Sequence, residues 1–187
     1  MDLVFIDIET THLDPIQGEI IEFAVCRITK HCREIDTFKI KPKHLHTADP
    51  VALEINGYNA ADWKMARELD TAVDIMYNYL QGNCIVIGHN VEFDLRFINT
   101  VLQARGYRSV GRRKICTRGL ALEHLPYMKS HSLQALRKFF NIPTNGAHRA
   151  YKDMEDMQVI YYKLIRASAL SRLLWWIKWK IQVFLDG

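Results

Sequence analysis

The hydrophobic pattern along the chain changes its period twice. Val4, Phe5, Ile6 and Ile8 make residues 3–9 a buried strand, and residues 20–28 and 34–40 are equally rich in β-formers. A turn built on Asp-Pro and Gly, THLDPIQGE, separates the first two, and a short polar connection separates the second pair. Connections this short predict an antiparallel meander. Residues 42–63 read as irregular with short helical pieces, turning at Asn56-Gly57 and Asn59. Helical spacing then takes over, with Leu69, Ala72, Val73, Met76 and Leu80 predicting a helix over 68–80. CIVIGHN, residues 84–90, follows as a short buried strand. Phe93, Phe97, Val101 and Ala104 line one side of a helix over 93–104, with Gly106 just beyond its end. Residues 114–117 predict a fifth strand, and helical pieces run to Phe140. Residues 141–146 read as a loop, and a long helix starts at Tyr151 with Met157, Ile160, Leu164 and Ile165 as its ridge. Three strands, then alternating helices and strands, then helices imply an α/β domain with a mixed five-stranded sheet flanked by helices.

Two acids interrupt the first strand. Asp7 and Glu9 stand two apart in VFIDIETT, so both project from one face. A buried carboxylate without a partner costs several kcal/mol, so this strand needs a cation, a metal ion or a solvent-filled cleft beside it. Asp94 in GHNVEFDLRF falls just after a strand, near the start of a helix. Asp153 in HRAYKDMEDM falls in the first turn of the long helix, with His148 five residues before it. Strand ends and helix starts along one sheet edge are where α/β proteins gather their sites. Four converging carboxylates suit hard divalent cations such as Mg²⁺ or Mn²⁺. Taken singly, each acid also suits an ordinary helix start, where the dipole favours negative charge, and His148 alone suits a loop.

VFIDIETT, GHNVEFDLRF and HRAYKDMED, in this order, resemble the three motifs of the DEDDh 3′–5′ exonucleases, the superfamily of the proofreading epsilon subunit of DNA polymerase III and of ribonuclease T. The resemblance extends over residues 1–168 and includes DPVALEINGYNAADW and SHSLQALRKFFNIP. It implies a ribonuclease H-like fold. It further implies that Asp7, Glu9, Asp94 and Asp153 hold two divalent cations, Mg²⁺ or Mn²⁺, with Asp7 bridging them, and that His148 is the general base. The sister DEDDy group carries a Tyr four residues before the last Asp, where this chain has Arg149. By the same resemblance Thr10, Leu13, Asn90 and Phe93 contact a single-stranded or frayed 3′ end of DNA or RNA, releasing nucleoside 5′-monophosphates. Core packing is the other reading of Leu13 and Phe93. Two positions depart from the family's habit: His12 stands where Gly is frequent, and Asn56 where His is frequent.

Composition adds bounds. The 187 residues are 49% hydrophobic and 25% charged, with a net charge of +4 that permits an anionic partner without requiring one. Arg105, Arg108, Arg112, Arg113, Lys114 and Arg118 form a basic run suited either to a nucleic-acid backbone or to an ordinary surface. Cys26, Cys32, Cys84 and Cys116 form no CxxC pair, which points to free thiols in a reducing compartment. With no signal peptide or spanning segment read in the sequence, the expected location is cytoplasmic.

Residues 169–187, ALSRLLWWIKWKIQVFLDG, extend past the domain as an amphipathic, Trp-rich helix. Leu170, Leu173, Leu174, Ile177, Ile181, Phe184 and Leu185 share one stripe, which is expected to pack on the domain and leave the tryptophans outward. The other reading folds the helix back so that its indoles fill a groove of its own domain. Outward tryptophans suit a protein partner or self-association, and less well a membrane surface. The alternative function is therefore a polymerase- or complex-docking module with an exonuclease fold and secondary catalysis.

Overall fold

A computed structural model describes residues 1–143 and 149–185. Five strands form one sheet in the order β3-β2-β1-β4-β5: β1 (Asp2–Thr10), β2 (Ile20–Ile28), β3 (Arg33–Lys39), β4 (Cys84–Gly88) and β5 (Lys114–Cys116). β1 pairs antiparallel with β2, as does β2 with β3, while β1–β4 and β4–β5 are parallel. The antiparallel meander expected from the loop lengths and the mixed sheet expected from the order of strands and helices are thus observed.

Alternation along β1 divides the core. Val4, Ile6 and Ile8 point to one face, covered by α2 (Leu69–Leu80) and α3 (Val91–Gln103) through Val73, Met76, Leu80, Leu95, Ile98 and Leu102. Phe5 points to the other, where Ala24, Cys26 and Ile87 meet Met154, Met157 and Tyr161 of α6 (Ala150–Ile165). Asp7 and Glu9 share the register of Phe5 and therefore project on the α6 side. α4 (Thr117–His124) and α5 (Leu133–Phe140) build a satellite core on α6 through Ala121, Leu125, Leu136, Phe139, Ile160 and Leu164. Ser132 caps α5 by accepting from the Ala135 N–H at 3.2 Å. The short α1 (Pro50–Ile55) is capped by Asp49, with proline at its first position.

The C-terminal segment is a helix, α7 (Ala169–Leu185), and of the two readings of its packing the structure shows the fold-back one, with two indoles rather than the leucine stripe against the domain. Trp175 packs edge-on against Phe140 at 5.2 Å between centroids, and Trp179 lies 5.3 Å from Tyr127. Lys178 Nζ donates to the Phe139 carbonyl at 2.7 Å. Leu170, Leu173, Leu174, Ile177 and Ile181 are exposed instead. The docking surface explains this choice of face. The end of α5 offers aromatic rings and a free carbonyl, which take indole faces and an ammonium better than branched aliphatics. Among the described residues, no helix is long and apolar enough to cross a membrane.

Candidate active site

The acids of β1 sit where the ladder breaks. Glu9 pairs with Glu22 across β2, yet Thr10 pairs with Ile20, so Ile21 is an extra residue opposite the end of β1. Such bulges bend a strand and re-aim its side chains. Oxygens of Asp7, Glu9 and Asp153 all lie within 4.8 Å of one another. Asp153 reaches them because α6 crosses this face of β1 with its first turn at the strand's C-terminal end. Asp94, in the first turn of α3, stands outside that trio but close enough to act on both β1 acids.

Electrostatics record the crowding. Burial first, then Asp94, Glu9 and Asp153, push the Asp7 carboxyl well above its usual range, against a smaller pull from Arg137. Burial and the charges of Asp153, Glu22 and Asp94 push Glu9 up to about 8. Asp94 is raised to about 8 by burial, although its own backbone N–H and that of Ile8 donate to the charged form and hold it down. Protons or cations must therefore occupy this cleft at neutral pH. The donor set is all carboxylate oxygen, which fits a hard divalent cation rather than a thiolate- or imidazole-seeking one.

Beside the trio lies a cavity of about 260 Å³ lined by Ile8, Glu9, Thr10, Leu13, Asp49, Val51, Ala52, Ile55, Asn56 and Phe93. Three of the four expected contact residues, Thr10, Leu13 and Phe93, thus share one cleft with Glu9. Leu13 is 71% exposed at its rim, so core packing does not account for it. Asn90 is absent from the lining. It stands immediately before α3 at φ 69°, a left-handed conformation that turns the chain from β4 into the helix. His148 lies outside the described residues. Its neighbour Arg149 is held at 3.2 Å by Glu22 of β2, which anchors the start of α6 beside the cleft.

Both departures from the family pattern are accommodated. A Cβ on Gly18 would stand 2.8 Å from that of His12, so the side chain at 12 is accommodated by the lack of one at 18. Asn56 is buried and donates from Nδ2 to the Thr10 carbonyl at 3.1 Å, tying the end of α1 to the first motif. The basic run divides: Arg105 pairs with Asp70 and Lys114 with Glu92. Arg108, Arg112 and Arg113, the last donating to Asn83, together line a separate cavity with Cys84, at the N-terminal end of β4 and so at the end of the sheet opposite the acids.

Sequence reading missed the buried groups behind Asp153. Arg137 is fully buried and donates to Asp153 and Asp156. A signal existed, since Arg137 interrupts the Leu133–Phe140 stripe of α5 and Asp156 lies three residues after Asp153.

Residues 4–160 match the RNase T family, whose members are exonucleases. The chain belongs to this exonuclease family. The exonuclease domain is 30% identical over 160 residues to the PolC-type DNA polymerase III of Listeria welshimeri, covering 86% of this chain but only 11% of that polymerase. It is 28% identical over 165 residues to the DNA polymerase III epsilon subunit of Aquifex aeolicus, covering 87% of this chain and 79% of that one. The fold matches Escherichia coli exonuclease I crystallised with a dT13 oligonucleotide, with a TM-score of 0.76 at 18% identity, over 92% of this chain and 42% of that one. These similarities place the exonuclease domain in the DEDDh superfamily with a ribonuclease H-like fold, and make it a nuclease domain.

Proposed function

We propose that this domain is a metal-dependent 3′–5′ exonuclease that shortens single-stranded or frayed DNA or RNA one nucleotide at a time. The meeting of Asp7, Glu9 and Asp153 beside an apolar cleft carries the reading. Asp7, Glu9, Asp94 and Asp153 would hold two divalent cations, Mg²⁺ or Mn²⁺, which supply charge for the phosphoryl oxygens and for the water and 3′ oxygen of the displacement. Leu13 and Phe93 take the terminal base by apolar contact, which tolerates any sequence, and Thr10 lines the same cleft. His148 draws a proton from the attacking water through a neutral ring nitrogen. Hydrolysis adds that water across the last phosphodiester, giving a nucleoside 5′-monophosphate and a strand with a new 3′ hydroxyl.

The test is digestion of 5′-labelled DNA and RNA oligonucleotides with Mg²⁺ or Mn²⁺, comparing wild type with His148→Ala. A ladder receding from the 3′ end, lost with chelator and in the variant, is expected, and the faster substrate identifies the preferred sugar. Cleavage inside the strand, or shortening from the 5′ end, would sink the reading.

The outward stripe of α7 supports a second role, self-association. Leu170, Leu174, Ile177 and Ile181 recur at spacings of four, three and four, the seam by which one helix meets another, and a second copy carries the same seam. Removing α7 would strip Trp175 and Trp179 from the satellite core, so a point change is the cleaner probe. Ile177→Glu is expected to convert a dimer to a monomer in light scattering while the rate per active site stays unchanged. A monomeric wild type contradicts this role.

A further inference from the structure

We propose that Arg137 is the positioning residue of the acidic cleft, holding Asp153 in the orientation that meets Asp7 and Glu9, so that cation binding there depends on its grip. This rests on the metal-dependent reading given above. Arg137 comes from α5 and has no exposed surface. Its Nη2 donates to Asp153 Oδ1 at 2.7 Å and its Nε donates to Asp156 Oδ2 at 2.7 Å. Lys152 Nζ donates to the other oxygen of Asp156 at 2.6 Å. The four side chains form one line, Lys152–Asp156–Arg137–Asp153, with two charges of each sign. Lys152 answers Asp156, which leaves the guanidinium charge to Asp153, the member that also belongs to the cleft.

Packing alone does not call for this residue. Position 137 lies within the apolar stripe of α5, between Leu133 and Phe140, where a leucine would fill the space without desolvating a charge. Nη1 finds no acceptor among the described residues, which adds to the cost of burial. What an arginine supplies and a leucine does not is a planar fork that fixes two acids one helical turn apart. Asp7, which does not touch Arg137, still feels its charge.

Charge and grip predict opposite signs. Were Arg137 only a positive charge near the cleft, removing it would tighten the binding of a divalent cation. Were it a grip, removing it would loosen the hold on Asp153 and weaken that binding. Groups that orient metal ligands typically account for about 10- to 100-fold in affinity or activity.

The experiment titrates the full chain with Mn²⁺, following the free ion by electron paramagnetic resonance, for wild type, Arg137→Lys, Arg137→Met and Asp156→Asn, with thermal melting to establish folding. Arg137→Lys keeps the charge and loses the fork. It is expected to bind Mn²⁺ about 10- to 100-fold more weakly and to lower kcat with KM for the oligonucleotide unchanged. Asp156→Asn, which loosens the second arm of the fork, gives a smaller loss of the same sign. Unchanged or tighter Mn²⁺ binding in folded Arg137→Lys overturns the inference, whether or not Arg137→Met folds. A wild type that takes up no Mn²⁺ overturns the metal-dependent reading itself, and the inference with it.

Discussion

Asp7→Asn is expected to abolish strand shortening and, in the same protein, to raise the melting temperature of the metal-free form. The two effects share one cause. Asp7 is pressed by burial and by Asp94, Glu9 and Asp153 together, so its carboxylate is unfavourable in the fold until cations arrive. Asparagine removes that repulsion at nearly constant shape, while offering a cation one neutral oxygen in place of a charged pair. Activity should fall on the order of 10³-fold or more, equivalent to about 4 kcal/mol of transition-state stabilisation. In chelator at pH 8 the variant should melt a few degrees higher, at about 2–4 °C for each kcal/mol relieved in a chain of this length. Sites that hold unfavourable charge for function commonly trade stability for it. Calorimetry in chelator and a digestion assay in Mn²⁺ check both halves, and a variant that melts lower or keeps a tenth of the rate contradicts the role given to Asp7.

The second large effect is a stability that falls as pH rises, and only without metal. Glu9 and Asp94 are pushed up to about 8 in the fold, from ordinary carboxylate values near 4 in the unfolded chain. Between these limits the native state binds more protons than the unfolded one, so their contribution is complete at low pH and is lost as pH rises towards 8. His89 works the other way. Burial lowers it to about 4, so up to its ordinary value near 6.5 its contribution grows with pH. The carboxylates therefore dominate from about 6.5 to 8. One extra proton held by the native cluster corresponds to about 1.4 kcal/mol lost per pH unit. Divalent cations replace those protons and should flatten the dependence. Melting curves at pH 6.5 and 8.0, in chelator and in Mn²⁺, measure this directly. Equal melting temperatures at the two pH values in chelator would contradict the picture of a protonated, self-repelling cleft.

Much of this architecture is legible in the chain. The period-two run of β1 puts Asp7 and Glu9 on one face, the loop lengths give the antiparallel meander, and the alternation of helix and strand after it gives a mixed sheet. The three ordered motifs lead to the exonuclease family that the comparison confirms. Less legible was anything that depended on which surface an element meets. Arg137 reads as a blemish in an apolar stripe until α6 is laid against α5, when it becomes the bridge between Asp153 and Asp156. The basic run reads as one patch, yet Arg105 and Lys114 turn to acids of other elements while Arg108, Arg112 and Arg113 stay together around one cavity, because a loop followed by a strand does not keep all neighbours on one side. Asn90 reads as a pocket residue, and only the structure shows that its backbone is also left-handed, turning the chain from β4 into α3.

The sequence by itself determined the alternation of faces, the succession of strands and helices along the chain and the motifs that mark the family, because each follows from local periodicity or from motifs a few residues long. Only the tertiary structure decided that Asp153 meets Asp7 and Glu9, that Leu13 and Phe93 share a cleft with Glu9, and that α7 lays Trp175 and Trp179 on the domain while Trp176 stays exposed. The amphipathic pattern of α7 marks two apolar sides. Which of them is buried depends on the rings and the open carbonyl at the end of α5, groups some forty residues distant in the chain that only folding brings into reach.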